Sequence, residues 1–256
     1  MTNTFESCCL KGFKWEGTPA GHISKLANND TYMTGTNPDR AILLIHDALG
    51  WTFNNTRLLA DHYAQEADAT VYVPDYFGGE VKDPEMLIHG DWKDPILDMP
   101  SFLKRNARDV REPEIFETAR VLRAKYKKFG AVGFCFGGWA VFRLGAREHQ
   151  PSLVDYITAG HPTWLTKKDI DEVAVPVQVL APEIDPVFTP ELKTHTFETV
   201  QKIGVPFDYH FFPGVSHACF TRGDNTKAGE LEAMVRGKNA AVGWINQRFV
   251  DVYPEK

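Results

Sequence analysis

Short continuous apolar runs alternate along this chain with longer stretches whose apolar residues recur at helical spacing. RAILLIH (40–46) is unbroken, β-branched and followed by a turn, which predicts a buried strand. ATVYVPDYFGG (69–79) predicts a strand ending at Pro74, and GAVGF (130–134) another; DYITAG (155–160), VPVQVLAP (175–182) and FDYHFFPG (207–214) predict three more. Between them, helical periodicity covers 54–67 behind a capping Asn54. It also covers 112–130, with Pro113 near its start and Gly130 as its stop, and then 137–148, 190–204 and 226–251. Strands separated by helices of about ten or more residues need parallel crossovers. The fold class is therefore α/β: a mostly parallel, twisted sheet with helices on both faces.

No internal repeat, low-complexity tract or Gly/Ser/Pro linker divides the 256 residues, so residues 1–256 read as one domain. Residues 78–102 (GGEVKDPEMLIHGDWKDPILDMPSF) break the rhythm, with three prolines and no clear period. A connection this long is either a surface excursion over the sheet edge or a lid or pocket wall carrying Trp92 and Leu97.

Composition narrows the function. A formal net charge of −6 argues against nucleic acid or an anionic membrane as partner, because both call for clustered cations. The four cysteines (Cys8, Cys9, Cys135, Cys219) include no C-x-x-C pair, which disfavours a zinc site, and they lack the density of a disulfide scaffold. Their thiols fit a reducing compartment. MTNTFESCCLKGFKWEG has neither the basic-then-apolar order of a secretory leader nor the bias of a transit peptide, and no stretch is long and apolar enough to span a bilayer. The C-terminal VYPEK matches no address signal. The expectation is a cytoplasmic protein, monomer or homodimer.

In open α/β sheets, ligands bind beyond the carboxyl ends of the strands. The polar residues there are His46 and Asp47, Asp75, Cys135, His161, Asp185 and His217. Cys135 stands in GFCFGG (133–138), the small-residue frame of a nucleophile elbow with cysteine in the serine position. Its glycines permit a tight strand-to-helix turn, the helix start favours a thiolate, and the Phe136 N–H faces a reacting carbonyl oxygen. Asp185 and His217 follow later strands, so the chain order is nucleophile, acid, histidine. Taken singly, Cys135 reads as a buried small apolar residue, Asp185-Pro186 as a turn and His217 as a hydrogen-bonded surface residue. Taken together, in order and all at strand ends, they read as a triad in which His217 moves the proton and Asp185 fixes its tautomer.

With these stretches the chain resembles the dienelactone hydrolase family, in particular its fungal members. SCCLKGFKWEGTPAG (7–21), ILLIHDALGW (42–51), VPDYFGGE (73–80), VGFCFGGWA (132–140), AGHPTW (159–164), APEIDPVFTPE (181–191) and PGVSHACFTRGD (213–224) carry the likeness over nearly the whole chain. The resemblance implies an α/β-hydrolase fold and a Cys–His–Asp triad at Cys135, His217 and Asp185. It also implies a second oxyanion donor after the third strand, the Ala48 N–H. Bacterial members carry, at the position of Asp47, a glutamate that contacts the resting cysteine; Asp47 is one methylene shorter, and the bland reading makes it a turn former. They also place a carboxylate-binding arginine shortly after the histidine. Arg222 stands one residue further on, Ala218 replaces the usual glycine, and pairing of Arg222 with Asp224 or a surface acid is the alternative. A second such arginine has no match. Trp51, Phe53, Trp164 and Phe188 suggest an apolar pocket rim, although such aromatics are more often packing.

The leading expectation is a cofactor- and metal-independent hydrolase that opens a small lactone or carboxylic ester through a thioester on Cys135. The alternatives are a weakly active or inactive fold that binds a small molecule, and a redox sensor using Cys135.

Overall fold

A computed structural model of the protein describes residues 15–83, 86 and 94–250. Its centre is an eight-stranded sheet in the order β1-β2-β4-β3-β5-β6-β7-β8. The strands are β1 (His22–Leu26), β2 (Asn29–Thr34), β3 (Arg40–Ile45), β4 (Thr70–Pro74), β5 (Lys128–Phe134), β6 (Tyr156–Gly160), β7 (Val177–Ile184) and β8 (Phe207–Ser216). β1–β2 and β2–β4 pair antiparallel, and the remaining neighbours pair parallel. The six expected strands are those from β3 onward; β1 and β2 form an antiparallel edge that the apolar pattern did not predict.

Helices cover both faces. α1 (Asn54–Glu66) and the last helix, α7 (Glu230–Phe249), lie on one face. α2 (Met99–Arg105), α3 (Arg108–Lys125), α4 (Phe136–Leu144), α5 (Lys167–Asp171) and α6 (Pro190–Ile203) complete the set described. β3 shows why its run is continuously apolar: Ala41, Leu43 and Ile45 pack into the cluster shared with α3 and α4. Ile42 and Leu44 pack into the cluster shared with α1 and α7. A strand covered on both faces has no polar side to present.

Three boundaries differ from expectation. Asn54 is the first residue of α1 rather than its side-chain cap, and its amide donates to the Trp15 carbonyl at 3.0 Å. α3 starts at Arg108 and stops at Lys125, so Pro113 lies inside it. Gly130 is no helix stop but a mid-strand residue of β5, paired with Ile42 and Tyr156. A Cβ at Gly130 would lie 2.0 Å from the Tyr156 ring, which explains the glycine by cross-strand packing. Within the 78–102 segment, Leu97, Met99 and Phe102 are buried in the core and α2 begins; Trp92 lies outside the described residues, as do Cys8, Cys9 and the C-terminal VYPEK. Among the described residues no helix is long and apolar enough to cross a membrane.

Candidate active site

Four neighbouring strands, β5 to β8, each deliver one chemically active side chain from their carboxyl ends: Cys135, His161, Asp185 and His217, in that order across the sheet. Cys135 sits between β5 and α4 with φ 50° and ψ −109°, outside the comfortable region for an L-residue. The glycines around it answer to close approach. A Cβ at Gly137 would meet the Ile45 carbonyl oxygen at 2.2 Å, and one at Gly138 would meet Pro162 Cα at 2.5 Å. The elbow is thus wedged between the end of β3 and the segment after β6. Phe136 opens α4, where a helix has no internal carbonyl for its first N–H groups.

Backbone bonds lock the cysteine. Its N–H donates to the Gly160 carbonyl (3.1 Å), and its carbonyl accepts from Gly138 N–H and Thr163 N–H (2.9 Å each). Its Sγ, fully buried, lies 3.2 Å from Thr163 Oγ1. The sequence reading gave Thr163 no role. Its signal there was faint: a hydroxyl three residues past a strand end.

Asp185 Oδ2 and His217 Nδ1 are 2.8 Å apart, both side chains without exposure. The other carboxylate oxygen accepts the N–H groups of Val187 (3.0 Å) and Phe188 (2.9 Å), so Asp185 is turn former and histidine partner at once. The residue after His217, Ala218, adopts φ 75°, a left-handed backbone that favours glycine. Burial lowers the His217 pKa, but the Asp185 and Cys135 charges outweigh it and push it up to about 10. A histidine so placed holds its proton at neutral pH.

His161 behaves oppositely. Its ring centroid is 4.7 Å from that of His217, and it stacks on Phe220. Burial, then the His217 and Arg222 charges, push its pKa well down, so the ring is neutral. Neither ring nitrogen has a hydrogen-bond partner among the described residues.

The turn after β3 carries Asp47 and Ala48. Asp47 Oδ1 accepts Leu49 N–H (2.8 Å), while Oδ2 accepts the Thr221 hydroxyl (2.9 Å) and meets Arg222 Nε at 3.0 Å. Arg222 is fully buried, and its acid is Asp47; the Asp224 considered as its partner pairs with Lys227. Asp47 already compensates the Arg222 charge, so a substrate carboxylate there would compete with it. His46 clamps the same turn, bonding the Asp47 carbonyl (2.9 Å) and accepting Tyr76 N–H (3.3 Å). Burial lowers its pKa, and as a neutral ring it serves structure. Asp75 accepts Phe77 and Gly79 N–H groups and builds a turn.

Of the proposed rim, Trp51 belongs to the α1/α7 cluster and lies under the Arg57 guanidinium, whereas Cys135 packs in the opposite cluster. Phe53 and Phe188 are core residues. Trp164 alone remains partly exposed on the cysteine side, edge-on to Phe136 at 5.9 Å. A 620 Å³ cleft lined by Glu183, Asp185, His217, Asp224 and Lys227 opens on the acid side of the pair.

Comparison with known proteins agrees with this fold. A family model described as the dienelactone hydrolase family matches residues 30–249. The chain is 29% identical over 252 residues to "Hydrolase tropI" of Talaromyces stipitatus, covering 94% of this chain and 96% of that one. It is 34% identical over 180 residues to a carboxymethylenebutenolidase homolog of Rattus norvegicus, covering 68% and 67%. The fold matches the crystal structure of carboxyl esterase 2 from Tuber melanosporum (TM-score 0.65, 12% identity, 94% of this chain and 91% of that one). It also matches the dienelactone hydrolase from Anabaena variabilis (TM-score 0.64, 13% identity, 89% and 96%).

Proposed function

Because the chain belongs to the dienelactone hydrolase family and is a hydrolase, we propose that it cleaves a small lactone or carboxylic ester with Cys135 as nucleophile. The observation that carries this reading is the buried 2.8 Å Asp185–His217 bond, with a strained elbow cysteine whose charge raises the histidine pKa. The Cys135 sulfur attacks the carbonyl carbon, and the oxyanion is held by the N–H groups of Phe136 and Ala48. Collapse expels the alkoxide, which takes the His217 proton, and leaves a thioester. His217 then draws a proton from water, the hydroxide attacks the thioester, and Cys135 leaves as thiolate with the acid released. In a lactone the alkoxide stays tethered, so reclosure competes with water. Asp185 keeps the His217 tautomer and steadies the imidazolium.

Substrate selection rests more on shape and apolar contact at Trp164 than on Arg222, which is fully buried and has its charge compensated by Asp47. The test assays short aryl esters and small lactones with wild type, Cys135→Ala and Cys135→Ser. Turnover in wild type and none in Cys135→Ala is expected. Equal turnover by both would sink the nucleophile, and binding without turnover by either would make the chain a binding protein.

A further inference from the structure

The segment His161-Pro162-Thr163, at the end of β6, touches both working members of the site. His161 lies against His217, and Thr163 against the sulfur of Cys135. The second contact has chemical content. A thiolate is acceptor-only, and at zero exposure water does not solvate it, so its charge depends on fixed donors. His217 is one donor, from the ring side opposite its Nδ1 bond to Asp185. Thr163 Oγ1, at 3.2 Å from Sγ, is placed to be another.

The placement is not incidental to the backbone. Thr163 N–H and Gly138 N–H share the Cys135 carbonyl, and Gly138 has no Cβ because Pro162 occupies that space at 2.5 Å. The elbow and the segment after β6 are therefore fastened in one register, with the hydroxyl beside the sulfur. This also gives the last glycine of GFCFGG a task beyond turning the chain.

We infer that the Thr163 hydroxyl donates a hydrogen bond to the Cys135 thiolate and so sets, with His217, how much of the sulfur is ionised before substrate arrives. The inference rests on the reading of Cys135 as nucleophile. Thr163 touches the reacting atom: it steadies the thiolate both at rest and when thioester hydrolysis expels it. The other titratable and charged groups in the surrounding loops are His46 and Asp47 after β3, His161 after β6, Asp185 after β7, and His217 and Arg222 after β8. All of them stay in place when the hydroxyl alone is removed.

The experiment follows alkylation of the Cys135 peptide by iodoacetamide, read by mass spectrometry from about pH 5 to about pH 10. Wild type is compared with Thr163→Val, Thr163→Ser and Thr163→Ala. A hydrogen bond to a charged group corresponds to a midpoint shift of about one pH unit or more. Thr163→Val and Thr163→Ala should therefore move the midpoint upward by roughly that amount, and Thr163→Ser should hold it near wild type. The fully ionised plateau should rise in Thr163→Val, because a less stabilised thiolate is the better nucleophile. Should Thr163→Val not fold, the Ala and Ser pair carries the same contrast. An unchanged midpoint in the hydroxyl-less variants overturns the inference, as does an equal shift in Thr163→Ser. Alkylation reads the thiol directly, so it stands apart from ester turnover. Full activity in Cys135→Ala would defeat the nucleophile reading, while a dead Cys135→Ala with an unmoved Thr163→Val profile would defeat this inference alone.

Discussion

Two ion pairs are buried in this site, and they differ in what their cations can do. Asp185–His217 and Asp47–Arg222 have N···O distances of 2.8 and 3.0 Å, and all four side chains are without exposure. In the first, the cation is a histidine whose proton comes and goes, and the carboxylate is further held by the Val187 and Phe188 N–H groups. In the second, the cation is a guanidinium that never gives up its proton. Its nitrogens lack aligned hydrogen bonds among the described residues, so the contact with Asp47 is one of charge and proximity. Equal burial thus serves two ends. In the proposed mechanism the first pair changes charge during the reaction. The second ties the turn after β3, with its Ala48 N–H, to the loop that carries His217.

Removing a cation separates the two. His217→Ala should lower ester turnover by about three orders of magnitude or more, as loss of a triad member does. Its folding should change less than its activity. A turnover loss below about tenfold would remove His217 from the role of base. In the second pair, Asp47→Ala leaves a buried guanidinium uncompensated and should cost about 3–5 kcal/mol of stability. Denaturant unfolding of Asp47→Ala beside Asp47→Ala/Arg222→Met tests this: the double variant, with no stranded charge, should recover a large part of the loss. If the single and double variants unfold alike, the pair is not what holds the two loops.

The contrast also marks what a sequence can reveal. Chain order and strand-end position picked out Cys135, Asp185 and His217 as candidates, because each obeys a local rule: an elbow frame, an Asx-Pro turn, a histidine past a strand. The parallel strands β3 to β8 were legible because burial on both faces leaves continuous apolar runs. β1 and β2 were not, since HISKL and NDTYMT lie at the edge of the sheet and mix exposed with buried positions. The Asp47–Arg222 pair joins residues 175 positions apart and follows no spacing rule, so Arg222 read as a substrate anchor or a partner of Asp224. Gly130 read as a helix stop because glycine signals a turn and a close strand contact with the same letter. Thr163 was hidden because its meaning lies in the register between the elbow and the segment after β6.

The smallest effect belongs to His161, whose ring nitrogens have no hydrogen-bond partner among the described residues. His161 and His217 lie 4.7 Å apart with pKa values displaced in opposite directions. For His217 the folded value, about 10, exceeds the ordinary 6.5, so its stabilisation is complete below 6.5 and fades as the pH rises through 10. For His161 the folded value lies well below 6.5. The unfolded chain therefore gains a proton there, on acidification, that the folded protein refuses. Stability falls below pH 6.5, by up to about 1.4 kcal/mol per pH unit. His161→Phe removes the titrating group while keeping an aromatic ring against Phe220. Urea midpoints at about pH 8 and about pH 5.5 should show a drop in wild type that exceeds the variant's by about 1 kcal/mol. At the alkaline end the two proteins should lose stability in parallel, since that limb belongs to His217. Equal acid limbs would mean that the folded protein protonates His161 as readily as the unfolded chain does, and the division of labour between the two rings would have to be redrawn.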